Sequence, residues 1–241
     1  MFNKRILLAS SALAALASVS QAHAGDFYVS VFGGANWMSG DKSGFQSGPA
    51  STFTFGTTGY RLDSETGFAI GGAVGVHLDQ WLHGLRAELE ASYRRNKLKG
   101  DWFVTTFSTI QGGVINGHDS KFALMANVWY DINVGQKWKP YIGGGAGWAR
   151  RTVDGAFEVT HTAFDSSFYG HGFNVTESGF AWQLGAGVNY EIQDGVHLGL
   201  GYRYFRGPNI SNDVFVGKHD LPVNFQQDNH TVQLELTIDT N

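Results

Sequence analysis

After residue 25, apolar and polar residues alternate one position at a time along most of the chain. From Phe68 to Leu78 the even positions are Phe68, Ile70, Gly72, Val74, Val76 and Leu78, and the odd ones are Ala69, Gly71, Ala73, Gly75 and His77. Leu85, Ala87, Leu89, Ala91 and Tyr93 then oppose Arg86, Glu88, Glu90, Ser92 and Arg94. A helix would spread those charges around its surface. A strand puts them all on one face. The same pattern recurs over Phe122–Asp131, Ile142–Trp148, Phe180–Ile192, Val196–Phe205 and Val232–Ile238, and less cleanly over Asp26–Trp37. This predicts eight strands of about ten residues, long enough to cross a bilayer at a tilt.

The predicted connections alternate in length. Asp79–Gly84, Asn133–Lys139 and Gln193–Gly195 are short, whereas 39–66, 98–119, 153–178 and 207–228 are long. Consecutive strands therefore run up and down, with short turns at one end and long loops at the other. The fold class is all-β, an eight-stranded antiparallel up-and-down transmembrane barrel.

The N-terminus breaks this pattern. Lys4 and Arg5 precede an apolar run, Ile6–Val19, and Ala22-His23-Ala24 fits a small-x-small cleavage site. The expectation is a signal peptide over 1–24 and a mature barrel domain over 25–241.

Composition now excludes several classes. The chain of 241 residues has no cysteine, so disulfide scaffolds and cysteine chemistry are out. Its net charge of −4 argues against nucleic-acid binding. The mean hydropathy of −0.17 resembles that of a soluble protein, but it is also the average of a lipid-facing half and a polar half. The alternative with the same strand count is a ligand-binding barrel that turns its apolar face inward. Aromatic placement decides against it. Tyr130, Trp138, Tyr141 and Tyr190 sit near the short turns, and Tyr93, Phe122, Trp148, Phe180, Trp182, Tyr202 and Tyr204 near the long loops. Two aromatic girdles around an aliphatic belt are what two membrane interfaces select.

The segments GDFYVSVFGGANW, GLRAELEASYRRNK, KPYIGGGAGWA, FAWQLGAGVNYEI and LGLGYRYF resemble the small eight-stranded outer-membrane proteins of proteobacteria. These form the opacity/porin-like surface-antigen family, with the OmpA transmembrane domain a more distant relative. The resemblance covers the strands and fades in the long loops. It implies a Gram-negative outer-membrane location and a structural or surface-interaction role in envelope integrity, adhesion and host or surface interaction. The expected partners are outer-membrane lipid and lipopolysaccharide, with the long loops offered to a host or surface ligand, and the chain is expected to be a monomer. One departure is the C-terminus. The family usually ends in an aromatic, and this chain ends Ile238-Asp239-Thr240-Asn241.

An eight-stranded barrel is just wide enough for side chains to fill. Its polar face carries His77, Arg86, Glu88, Glu90, Arg94, Asp131, Glu191, Arg203 and Glu235, with Gln183 and Asn189. Both signs are present, so a plug of buried ion pairs is the expectation, with small-ion conduction as an alternative. Near the external strand ends lie Arg95, Lys97, Lys99, Arg150, Arg151 and Arg206, candidates for lipopolysaccharide phosphates. The aromatic-rich loops read either as binding surfaces or as hairpins that extend the strands above the membrane, and the second is favoured.

A catalytic alternative remains. Some barrels of this size modify lipid A as oxidases or deacylases. The doublets His118-Asp119 and His219-Asp220 could serve as an acid–base pair or, in that alternative, as ligands for a divalent metal. The principal expectation is no cofactor and no metal. The deacylase family uses a His-x-Ser pair near a late strand. The matching stretch here, Tyr204 to Asn212, lacks the histidine, so that activity does not carry over.

Overall fold

The computed structural model describes residues 27–240 apart from 41–42, 52–53, 107–109, 136, 163–170, 217–218 and 226. The proposed signal peptide lies outside the described residues. Twelve strands are present: β1 (Phe27–Gly40), β2 (Ser43–Ser51), β3 (Thr54–Ser64), β4 (Gly67–His77), β5 (Leu85–Thr106), β6 (Ile110–Asp131), β7 (Trp138–Thr162), β8 (His171–Gln193), β9 (Val196–Arg206), β10 (Ile210–Val216), β11 (His219–Phe225) and β12 (Gln227–Thr240).

Eight of these close a ring. β4, β5, β6, β7, β8 and β9 follow in order, β9 pairs with β12, β12 with β1, and β1 with β4. Every pairing is antiparallel. Closure satisfies every backbone group that an open edge would strand in lipid. The last strand meets the first over its full length, from Phe27 opposite Thr240 to Gly40 opposite Gln227.

The remaining four strands belong to the long connections. The upper half of β5 leaves β4 and pairs with β3, Leu98 opposite Ser64 through Thr106 opposite Gly56. Strand β3 in turn pairs with β2, and β10 with β11 forms a separate hairpin. On the other side β5 and β6 stay paired from Leu85–Tyr130 to Thr105–Ile110. Much of what reads as loop is thus strand that continues past the bilayer, as favoured from the aromatic content.

Exposure shows which face is outside. Val31, Ile142, Leu184 and Leu234 are all more than half exposed, and all lie on the predicted lipid-facing positions. Their neighbours Ser30, Gln183, Glu235 and Thr237 are buried. Tyr141 departs from the expectation. It was assigned to the lower girdle, yet it is buried in the lumen. It shares odd parity with Gly143 and Gly145, so strand alternation turns it inward. There it fills space left by two glycines: a side chain at Gly187 or Gly201 would strike the Tyr141 hydroxyl.

Candidate functional site: the lumen plug and the outer rim

The lumen is filled in layers. At the short-turn mouth, His77 Nε2 and His197 Nε2 both lie 3.2 Å from Asp239, one on each carboxylate oxygen. Glu191 lies at this mouth, 3.6 Å from Lys139, and both are substantially exposed. Its place is therefore the rim of the predicted network, near the turn where the β8–β9 register shifts.

One layer up, Arg86 binds Asp131 at 2.7 Å and lies 5.2 Å from the Tyr28 ring centre. The Tyr28 hydroxyl donates to Glu88 at 3.0 Å. The Asn127 amide then donates to both Glu88 and Glu90, at 2.9 and 3.0 Å. Gln183 donates to Glu90 at 2.7 Å and to the Asn127 carbonyl at 2.8 Å. Arg203 on β9 approaches Glu235 on the adjacent β12 at 3.3 Å, and its guanidinium carbon lies 3.7 Å from the Trp129 ring centre. Arg94 donates to Ser92 at 2.8 Å, stands 3.9 Å from Glu90 and stacks on Phe205 at 4.1 Å. Charged groups in so narrow a space persist only when paired and hydrogen-bonded. Here neutral amides and aromatic rings pack around the ion pairs and supply part of the remaining contacts.

The outer end carries a third layer. Asp119 Oδ2 accepts from Arg151 Nε at 2.9 Å and Nη2 at 2.5 Å, and Lys121 Nζ forms an ion pair with Oδ1 at 3.2 Å. All three are buried. Beside them Asn36 bonds Asn96 and accepts from Thr231 at 3.0 Å. Met38, Leu98 and Val153 pack above as a small apolar lid. Ion pairs, amides and aromatic rings therefore fill the lumen among the described residues.

Two sequence assignments fail here. The sequence puts Arg151 on the outside as a phosphate contact, but it points inward to Asp119. The doublet His118-Asp119 is split by the barrel wall. Asp119 is buried inside, while His118 faces outward, 3.7 Å from Asp154. Adjacent residues of a strand point to opposite faces, so the two cannot share a metal or a proton. His219 and Asp220 are consecutive in β11, and their side chains lie outside the described residues. Among the described residues no cluster of three metal-ligating side chains occurs. Sequence reasoning also missed Lys121 as an inward group, although it shares odd parity with Ala123, Met125 and Asn127.

The outer rim has two unlike sides. On β9, β12 and β1, Arg206 makes two bonds to Asp228, at 2.7 and 2.5 Å. The Tyr204 hydroxyl donates to the same carboxylate at 2.5 Å. His230 stacks on Trp37, with Tyr202 and Ser39 on its two ring nitrogens at 2.6 and 2.7 Å. This side is closed on itself, so Arg206 is already neutralised. On β5–β7, Arg95, Lys97 and Arg150 are exposed and face outward. Lys99 is held by Glu65 at 2.6 Å, whereas Arg95, Lys97 and Arg150 form no ion pair among the described residues. Arg95 lies across from Phe68 and Arg150 across from Phe122. Phe68 in turn packs against Tyr93 of the upper girdle, ring centres 6.2 Å apart.

Comparison with known proteins agrees with this architecture. The family model described as "Outer membrane protein beta-barrel domain" matches residues 6–234. An outer membrane protein of Gluconacetobacter diazotrophicus is 31% identical over 185 residues, covering 73% of this chain and 45% of that protein. The outer membrane protein PagN of Salmonella typhimurium is 23% identical, covering 62% of each. The match thus takes in about half to three-fifths of these relatives' lengths. The crystal structure of Neisserial surface protein A aligns with a TM-score of 0.50 at 16% identity, over 88% of this chain and 96% of that one.

Proposed function

This chain belongs to the family of outer-membrane protein β-barrel domains, and from that premise we propose that it is a surface-interaction barrel seated against lipopolysaccharide through one side of its outer rim. The protein resides in the outer membrane of a Gram-negative cell. The observation that carries the reading is the group Arg95, Lys97 and Arg150. These cations are exposed and form no ion pair within 4 Å among the described residues, and Arg95 and Arg150 stand opposite Phe68 and Phe122.

The chemistry follows from height. The girdle marks the interface, so cations bordering it meet the headgroup layer. In the outer leaflet that layer is sugar bearing phosphate. Guanidinium recognises phosphate through paired charge-assisted hydrogen bonds. The acyl chains of the same molecule lie against Phe68, Tyr93 and Phe122 below. The filling of the lumen by paired side chains supports a rim or loop function over transport. The strand extensions β2–β3, β5–β6 and β7–β8 stand above this layer and offer the surface for a host or environmental ligand.

The test is binding of purified lipopolysaccharide to the refolded barrel as salt is raised. Charge reversal at Arg95, Lys97 and Arg150 together should abolish the salt-sensitive part. An unchanged affinity would sink the proposal.

A further inference from the structure

The short-turn end of the barrel is as lopsided as the outer rim. The β8–β9 turn is Gln193-Asp194-Gly195, with no apolar side chain at its tip. The β4–β5 turn is longer and presents Trp81 at 85% exposure and Leu82 at 52%. An exposed tryptophan on a floppy turn would mean little, but this turn is built. Leu78 N bonds Leu85 O at 2.7 Å, and Trp81 N and Leu82 N both bond Leu78 O, at 2.9 and 3.1 Å. Asp79 accepts from Gly84 N at 2.6 Å and pairs with His83 at 3.3 Å. Gly84 takes a positive φ of 86°, and a side chain there would strike the Asp131 carbonyl. The polar groups thus close the turn on itself and leave the two apolar side chains outside.

The neighbouring turn adds to the same patch. Asp131 N bonds Gly84 O at 2.7 Å, which ties the start of the β6–β7 turn to the end of the β4–β5 turn. That second turn exposes Ile132 and Val134. The patch runs on into the lipid-facing wall through Tyr130 and Trp138, which are 41% and 50% exposed.

We propose that Trp81, Leu82, Ile132 and Val134 form a lip that sits in the headgroup layer of the inner leaflet, on the β4–β7 side only. The occupant is phospholipid, because the patch is continuous with the lipid-facing girdle and its leading residue is tryptophan. The indole combines an apolar body with one N–H donor, which suits it to the boundary between acyl chain and water. The polar β8–β9 turn on the far side stays in the periplasm. The barrel therefore contacts the inner leaflet more deeply along one edge.

The absence of cysteine makes the test direct. Single variants Trp81→Cys, Leu82→Cys and Asp194→Cys of the barrel carry a spin label. They are placed in vesicles of phosphatidylethanolamine and phosphatidylglycerol, with a water-soluble nickel chelate on both sides. Heat-modifiable gel migration verifies that each is folded. Labels at 81 and 82 should lose most nickel collisions relative to 194 and gain collisions with lipid-dissolved oxygen. Labels at 81 and 82 as open to nickel as the one at 194 would overturn the proposal and leave the patch to a periplasmic protein.

Discussion

Arg151 on β7 and Asp119 on β6 meet inside the barrel, Nη2 to Oδ2 at 2.5 Å, with Lys121 on the same carboxylate at 3.2 Å. One anion thus holds two buried cations. Asp119→Ala removes the carboxylate that both cations share and should cost about 3–5 kcal/mol. Arg151→Met leaves the Lys121–Asp119 pair intact and should cost less. Urea unfolding in lipid or detergent, followed by gel migration without heating, checks the order. Equal losses would contradict the shared-anion account.

Partnering should grade the response of the rim cations. Lys99 is held by Glu65 and Arg206 by Asp228, so charge reversal at either should change lipopolysaccharide binding less than reversal at Arg95 or Arg150. Arg151 is buried with Asp119 and offers the lipid no cation. Its substitution should alter stability without altering the salt dependence of binding. Titration with lipopolysaccharide at low and high salt separates these cases, since exposed pairs are screened and buried ones are not.

A lumen filled by paired side chains predicts no large stable conductance in a planar bilayer. Arg94 fills the section between Glu90 and Phe205. Arg94→Ala removes that filling and leaves Glu90 short of its cation. Small cation-selective openings should then appear. Openings of equal size in the unaltered protein would mean that the plug moves.

The junction between β3 and β4 should show its ion pair in a titration. Glu65 lies outside the membrane-spanning part, and a hydrogen bond and charge from Lys99 lower its pKa. A depressed carboxylate stabilises the fold above its unfolded pKa, and that contribution is lost as pH falls through the folded pKa. The Glu65 side-chain resonance should therefore titrate below an ordinary glutamate, and Lys99→Gln should move its midpoint upward. No movement would place the lysine elsewhere in solution.

Much of this molecule is legible in its sequence. Alternation in Leu85–Arg94 separates a lipid face from a charged face because side chains of a strand have a period of two. The girdles name the outer face. Arg86, Glu88, Glu90, Arg94, Arg203 and Glu235 are all inside, as the pattern requires. The same parity, carried past the girdle, would also have turned Asp119, Lys121 and Arg151 inward. Residues beyond the girdle read as loop in the sequence, where a period of two does not apply. The structure shows that strand geometry continues through 106, 110, 162 and 171.

The sequence by itself therefore determined the fold class, the sidedness of each strand and the sign of the groups in the lumen. These are local properties, set by the alternation of neighbouring side chains. Only the tertiary structure decided which charges meet. Arg203 finds Glu235 across two strands distant in sequence, and Asn127 bridges Glu88 and Glu90. Pairing depends on strand register and on the order in which the ring closes, which no single strand encodes. The same closure decided which cations were left over at the rim, and so where the barrel can meet its surroundings.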